Sequence, residues 1–417
     1  MQNLWSELNN NQSSHDTTGL VQEPSRRRRL SEQHLLSSLR DWLLHDYVVS
    51  YCRMLSASRI YRRCYWIDAL GSIDLRTNSN ILHPILSLAA TLIQESKPIA
   101  LHGIVFEAGS SKRRESRPVE VEQSGNHHTT TSAKIAGKLP KESGIVRASW
   151  LEAASATLEL VDQSPAIFLF NPFGHTLLTY DDLAPLYQRT APTELCLLTS
   201  HKQLMAHLAS AKNNQSGGQL STTLTALLRS DRWKTLPTDD EAMQHTIDEV
   251  IHLLIISMQR HFLSVQPIAL PVQIRPAVVE TAPYALIFAT RRQDSLASMN
   301  DAVCVYRRRL HEQSHQGVLS EEWFATQQQE RLAQEMQQLY QRVLQQGRAQ
   351  RIRRWPDLRQ QLLSADFAHH TLHEYDEIMR QLLTSGQVRC EWRRKPADIT
   401  QNEDQPTPGN EDILLWK

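Results

Sequence analysis

Two segments of the sequence share one pattern, in which an apolar run ends in a short polar loop. The first run covers residues 64–70 and contains Asp68, and the second covers residues 166–170 and is followed by Asn171. A near-continuous apolar run is typical of a strand that is buried on both faces of a parallel sheet. Because ligands of open parallel sheets bind beyond the carboxyl ends of the strands, we expect Asp68 and Asn171 to mark a site at one sheet edge.

The composition limits the kinds of partner that the chain requires. Its 417 residues leave room for two or three domains, and its 45 Lys and Arg equal its 45 Asp and Glu. The balanced charge creates no overall positive potential that would by itself indicate a nucleic-acid partner.

The five cysteines are scattered and form no Cys-x-x-Cys pair, which favours reduced thiols over a disulfide framework or a zinc ribbon. The sequence has no signal-peptide pattern and no apolar stretch of membrane-spanning length, so we expect a cytoplasmic protein without a membrane partner.

Strands and helices alternate along most of the chain. This order predicts an α/β fold, a Rossmann-like three-layer domain over residues 34–315, and its closing hairpin is typical of class I methyltransferases. Polar composition predicts a disordered tail at 1–33 and a disordered insertion at 109–142. The strands are predicted at 64–70, 99–106, 144–150, 165–170, 194–199, 267–274 and 284–290.

The C-terminal hundred residues change in character. A Gln-rich and Glu-rich stretch with an apolar stripe predicts a long connecting helix over 316–350. Two further helices and two short strands then predict a winged helix-turn-helix domain over 351–417. Its second helix begins after Thr371 and is acidic, so we expect it to repel the phosphates of a nucleic acid. The hairpin is a better surface for DNA or RNA, although docking of a protein remains an alternative, and the predicted nucleic-acid-binding residues are Arg389, Arg393, Arg394 and Lys395.

Several stretches, in their order along the chain, carry a resemblance to a known family. Residues 68–74 read Asp-Ala-Leu-Gly-Ser-Ile-Asp, where the family has Asp-x-Phe-Ala-Gly-Pro-Gly. Residues 171–174 read Asn-Pro-Phe-Gly, where the family has Asp-Pro-Trp-Gly, and residues 284–288 are similar to its closing hairpin. The chain thus resembles the three-Cys-motif partner protein family (TcmP), whose members look like divergent class I methyltransferases with a C-terminal winged helix. The resemblance implies S-adenosylmethionine as cofactor and a radical-SAM-like three-Cys-motif protein as partner.

The predicted cofactor-binding residues are Asp68, Gly71 and Glu107: Asp68 keeps the strand-end acid of the family, and Gly71 lies one position before a family glycine. For Glu107 a polar strand end is the alternative. The acid that ends the second strand, Glu107, lies where such folds hold the ribose hydroxyls. At two positions where the family has glycine, this chain has Ser72 and Asp74. Glycine is needed there because the backbone must approach the cofactor closely. A carboxylate at position 74 would repel the carboxylate of the cofactor. We therefore expect an eroded cofactor site.

The second loop is the candidate for target recognition. Enzymes that methylate exocyclic amines of bases use an Asp/Asn/Ser-Pro-Pro-aromatic loop, in which two oxygens accept from the amine and the ring stacks on the base. Asn171, Pro172 and Phe173 are accordingly the predicted catalytic residues, and a rigid strand-to-helix turn is the alternative. Three functions stay open: a degenerate methyltransferase-fold protein acting on or alongside nucleic acid, an active S-adenosylmethionine-dependent amine methyltransferase, and a non-catalytic scaffold that binds proteins.

Overall fold

The structure is a computed structural model, and it describes only part of the chain. Residues 1–38, 71–98 and 107–142 are among those not described, so the predicted tail and the predicted insertion lie outside it. The described residues are 39–70, 99–106, 143–146, 148–174, 177–213, 218–239, 241–275, 278–315, 321–393 and 406–417.

A seven-stranded, mostly parallel sheet forms the centre of the fold, in the order β3-β2-β1-β4-β5-β7-β6. Strands β1 to β5 run parallel, whereas β7 is antiparallel to both β5 and β6. This arrangement confirms the α/β prediction and is consistent with a Rossmann-like fold. The strands are β1 (Arg63–Asp68), β2 (Ala100–Phe106), β3 (Gly144–Val146), β4 (Ala166–Phe170), β5 (Thr193–Ser200), β6 (Ser264–Arg275) and β7 (Val278–Thr290).

Helices cover both faces of this sheet. Successive residues of β1 alternate between two cores: Cys64 and Trp66 belong to one, and Tyr65 and Ile67 belong to the other. This two-sided burial is the reason why the strands read as continuous apolar runs. α1 and α7 pack on the first face and α2 to α6 on the second. The bounds are α1 (His45–Ser58), α2 (Trp150–Val161), α3 (Tyr180–Gln188), α4 (His201–Lys212), α5 (Gln219–Leu228), α6 (Met243–Met258) and α7 (Gln293–His315).

One predicted strand is shorter in the structure because a helix begins inside it. The sequence predicts a strand over 144–150, but β3 ends at Val146 and α2 starts at Trp150. The Ser149 hydroxyl accepts from the Glu152 amide, and the Glu152 carboxylate accepts from the Ser149 amide. Such a capping box satisfies two backbone donors that would otherwise lack partners, so it fixes the start of the helix.

The C-terminal elements share the core of the first face. They are α8 (Glu321–Gln350), α9 (Trp355–Ala365), α10 (Leu372–Thr384), β8 (Val388–Glu391) and β9 (Ile413–Trp416), and β8 pairs antiparallel with β9. The buried Asn300 of α7 donates to the His370 carbonyl at 2.8 Å and accepts from the Ala368 amide at 2.8 Å. Because these bonds satisfy backbone groups of the α9–α10 connection, they fasten that connection to α7.

Candidate functional site at the carboxyl ends of the strands

The structure brings Asp68 and Asn171 to the same edge of the sheet, as the sequence predicts. β1 and β4 are adjacent and parallel, with Asp68 in register with Leu169. The Ala69 amide donates to the Leu169 carbonyl at 2.8 Å and extends this pairing beyond the strand. Asp68 is fully buried, and its Oδ1 accepts from the Leu70 amide at 3.0 Å. The carboxylate therefore shapes the turn that leaves β1.

Asn171 is held in place through both ends of its side-chain amide. Its Oδ1 accepts from the Phe173 amide at 3.1 Å, and its Nδ2 donates to Oε1 of Gln203 at 2.7 Å. The Pro172 carbonyl accepts from the Leu178 amide at 3.0 Å. Both oxygens that would accept from a target amine thus already accept from the backbone of their own loop, although each retains a second lone pair.

The ring of Phe173 lies inside the protein. It is fully buried in the core that β4 shares with α3 and α4. Stacking on a base requires an exposed ring face, so the ring would have to leave the core to serve that role. The catalytic assignment of Asn171, Pro172 and Phe173 stays a prediction, and their geometry favours the alternative of a rigid turn.

Two residues of α4 that are not among the predicted site residues complete this loop. Gln203 contacts Asn171, and Nε2 of His207 donates to the Gly174 carbonyl at 2.8 Å. The two residues are spaced i and i+4, which places them on one face of the helix that follows β5. That spacing, directly after a strand neighbouring β4, is the signal that could have identified them.

The cofactor half of the predicted site is described only at Asp68. Gly71 and Glu107 lie outside the described residues, as do Ser72 and Asp74. The Asp68 carboxylate is buried and accepts a backbone hydrogen bond. The described contacts of Asp68 therefore support a structural role in the turn that follows β1.

The predicted nucleic-acid-binding hairpin is partly described. Arg389 on β8 and Arg393 just after it are exposed, and the Arg393 amide donates to Oδ1 of Asp412 at 2.9 Å. Arg394 and Lys395 lie outside the described residues.

The acidic residues of α10 have arginine partners that the sequence analysis did not identify. Arg308 of α7 reaches Glu374 at 2.5 Å, and Arg359 of α9 reaches Asp376 at 2.6 Å. Glu377 pairs with Arg380 within α10 at 2.7 Å. These pairs neutralise much of the negative charge that predicts repulsion of phosphates, and Arg308 comes from an element 66 residues away.

Asn171→Ala is expected to lower the free energy of unfolding by about 1–2 kcal/mol, because it leaves the Phe173 amide and the Gln203 side chain without partners. Asn171→Asp retains the acceptor for the Phe173 amide, so its loss should be smaller. Urea unfolding of the three proteins measures both values. Residues kept for catalysis are often replaced at no cost in stability, so an Asn171→Ala protein as stable as the wild type would argue against the turn role.

Fold and site together define an α/β protein with a mostly parallel sheet, whose candidate site lies at the carboxyl ends of β1 and β4. In the ranges that the structure describes, there is no group of three His, Cys, Asp or Glu arranged to hold a metal ion. No helix in those ranges combines the length and apolar character needed to cross a membrane. Comparison with protein-family models, with curated proteins and with solved structures gives no match to this chain.

Proposed function

We propose that this chain is a degenerate methyltransferase-fold protein, similar to the three-Cys-motif partner proteins, that acts on or alongside nucleic acid with a radical-SAM-like partner. The strand order supports the methyltransferase type. A reversed strand, β7, is inserted between β5 and β6 at the end of an otherwise parallel sheet. This closing arrangement is typical of class I methyltransferases.

The geometry of the second strand-end loop carries the proposal that catalysis is lost. The Asn171 and Pro172 oxygens accept from amides of their own loop, and the Phe173 ring is buried. A loop built in this way is closed on itself rather than open to a base. The sequence at 68–74, which lacks the family glycines, supports the same conclusion for the cofactor.

The arrangement after α8 supports a winged helix. α9 and α10 are followed by the β8–β9 hairpin, and the Leu414 amide of β9 donates to the Arg353 carbonyl, before α9, at 2.7 Å. The exposed Arg389 and Arg393 give the hairpin the cationic side chains that phosphate contacts use.

Titration calorimetry of S-adenosylmethionine into the full chain tests this proposal. We expect no heat of binding at micromolar concentrations. The matched variant is Asp68→Asn, which retains an oxygen for the Leu70 amide and removes the charge. Micromolar binding to the wild type that weakens at least tenfold in Asp68→Asn would instead favour the active amine methyltransferase.

A further inference from the structure

A cleft of about 670 Å³ lies between α7, the middle of α8 and the connection from α9 to α10. Four arginines line it from two sides, and three of them are paired with carboxylates, which leaves one arginine in excess. The charged lining residues, other than histidines, are Arg307, Arg308, Arg331, Glu335, Arg342 and Asp366.

Arg307 is the cation in this cleft that most lacks a counter-ion. Its guanidinium donates to the Ala368 carbonyl at 2.8 Å, and no ion pair among the described residues includes it. Burial lowers the pKa of Arg307, because the charged guanidinium has lost part of its hydration. An anion entering the cleft would compensate this charge, and the planar guanidinium fork matches phosphate oxygens.

Arg308 is engaged by Glu374, in a pair that is largely shielded from solvent. The remaining two arginines form pairs that a ligand can replace. Arg331 pairs with Glu335 at 2.8 Å, and Arg342 pairs with Asp366, with both arginine side chains at least half exposed. An exposed pair such as Arg331–Glu335 contributes about 0–1 kcal/mol, so exchanging its carboxylate for a phosphate costs little.

The cleft is long, and an aromatic pair precedes its lining residues on α8. Its α8 lining runs from Gln328 to Arg342, which is about 21 Å along the helix at about 1.5 Å per residue. Phe324 precedes Arg342 by five whole helical turns and so lies on the same face. Its ring meets that of Trp323 with centroids 5.0 Å apart, and Trp323 is 58% exposed.

We propose that this cleft, together with the Trp323–Phe324 pair, binds single-stranded nucleic acid. Cationic side chains spaced along a groove follow a phosphate backbone, and an exposed aromatic ring provides a stacking surface for a base. One free phosphate or nucleotide would occupy only part of such a length. An acidic protein segment has the same charge but makes no use of a stacking ring. The inference adds to the nucleic-acid part of the proposed function a surface separate from the hairpin, and it is independent of cofactor binding.

Fluorescence anisotropy with a labelled 15-nucleotide single strand, as DNA and as RNA, tests the inference on the full chain. In Arg331→Ala/Arg342→Ala we expect at least a tenfold loss of affinity, and a salt dependence whose slope is smaller by about 1.4 for two lost phosphate contacts. Trp323→Ala should weaken binding about tenfold, as the loss of one stacked base does. The matched control is Arg348→Ala, which lies on the same helix, outside the residues that line the cleft and at the opposite end from Trp323, and it should bind as the wild type.

Three outcomes overturn the inference, and a fourth variant assigns the binding to the hairpin instead. One is an absence of single-strand binding by the wild type, and another is an equal loss in Arg348→Ala. The third is competition by a poly-glutamate peptide as effective as that by unlabelled strand, which would identify an acidic protein ligand. Arg389→Ala/Arg393→Ala separates the two proposals: if that variant alone loses binding, the hairpin is the nucleic-acid surface and the cleft is not.

Discussion

Replacing Glu194 with glutamine is expected to stabilise the protein by about 3 kcal/mol at pH 8 and to change its stability little at pH 4.5. Glu194 is fully buried at the start of β5, where Oε1 accepts from the Ser295 hydroxyl at 2.9 Å. Oε2 has no hydrogen-bond partner among the described residues. Burial raises the pKa of Glu194 from the ordinary 4.5 to about 7.

The sign of the effect follows from where the proton is bound. Between pH 4.5 and about 7 the native protein retains a proton on Glu194 that the unfolded chain has lost. The contribution of Glu194 to the free energy of unfolding is therefore complete below pH 4.5. It falls as the pH rises and is lost above about pH 7. At about 1.4 kcal/mol per pKa unit, this range corresponds to about 3 kcal/mol. Glutamine carries no charge at any pH, so the difference between the two proteins isolates the titration of Glu194.

Denaturant unfolding at pH 4.5, 6, 7 and 8 measures this difference, and Ser295→Ala provides a comparison of opposite sign. The Ser295 hydroxyl lowers the pKa of Glu194, so its removal raises that pKa further. Ser295→Ala should therefore lose more stability at pH 8 than at pH 4.5. A Glu194→Gln protein that is less stable than the wild type by the same amount at every pH would show that the native carboxylate is ionised and well solvated.

The strands were predictable because two-sided burial requires apolar residues at nearly every position. The run at 166–170 and strand β4 coincide for this reason. The burial of Glu194 could not be predicted in this way. A charged residue at the start of an apolar run is normally interpreted as the polar end of the strand. In the fold, Tyr47 and Tyr51 of α1 cover that end, and burial and the Glu194 carboxylate together raise the pKa of both phenols.

The candidate site was predictable in position but not in its contacts. Polar residues at the ends of two apolar runs identified Asp68 and Asn171, because adjacent parallel strands have their carboxyl ends at the same edge of the sheet. The partner of Asn171 is Gln203, 32 residues further along the chain, and it becomes a neighbour only when β5 pairs with β4. Arg308, which neutralises Glu374, is 66 residues away from it. Local patterns contain no information about such pairs, so their effect on charge becomes visible only in the fold.

Gly347→Ala is expected to destabilise the packing of the C-terminal elements α8 to β9 by about 2 kcal/mol. This loss is expected although alanine is the better helix former by about 1 kcal/mol. Gly347 lies in α8 beneath the Trp416 indole, and a methyl group there would lie 2.3 Å from two ring carbons. Trp416 would have to move, and its Nε1 would lose the 2.7 Å bond to the Ile352 carbonyl. Urea unfolding together with limited proteolysis of the β8–β9 hairpin measures the loss.

A double-mutant cycle makes the cause of this loss testable. In a Trp416→Ala background the ring is absent, so Gly347→Ala should become stabilising by about 1 kcal/mol, which is the helix-propensity difference alone. The matched control is Gln345→Ala, at an exposed position of the same helix, which should have little effect in either background. If Gly347→Ala destabilises both backgrounds equally, the contact with Trp416 is not the cause. A change of sign between the backgrounds would show that glycine at position 347 lets β9 pack on α8.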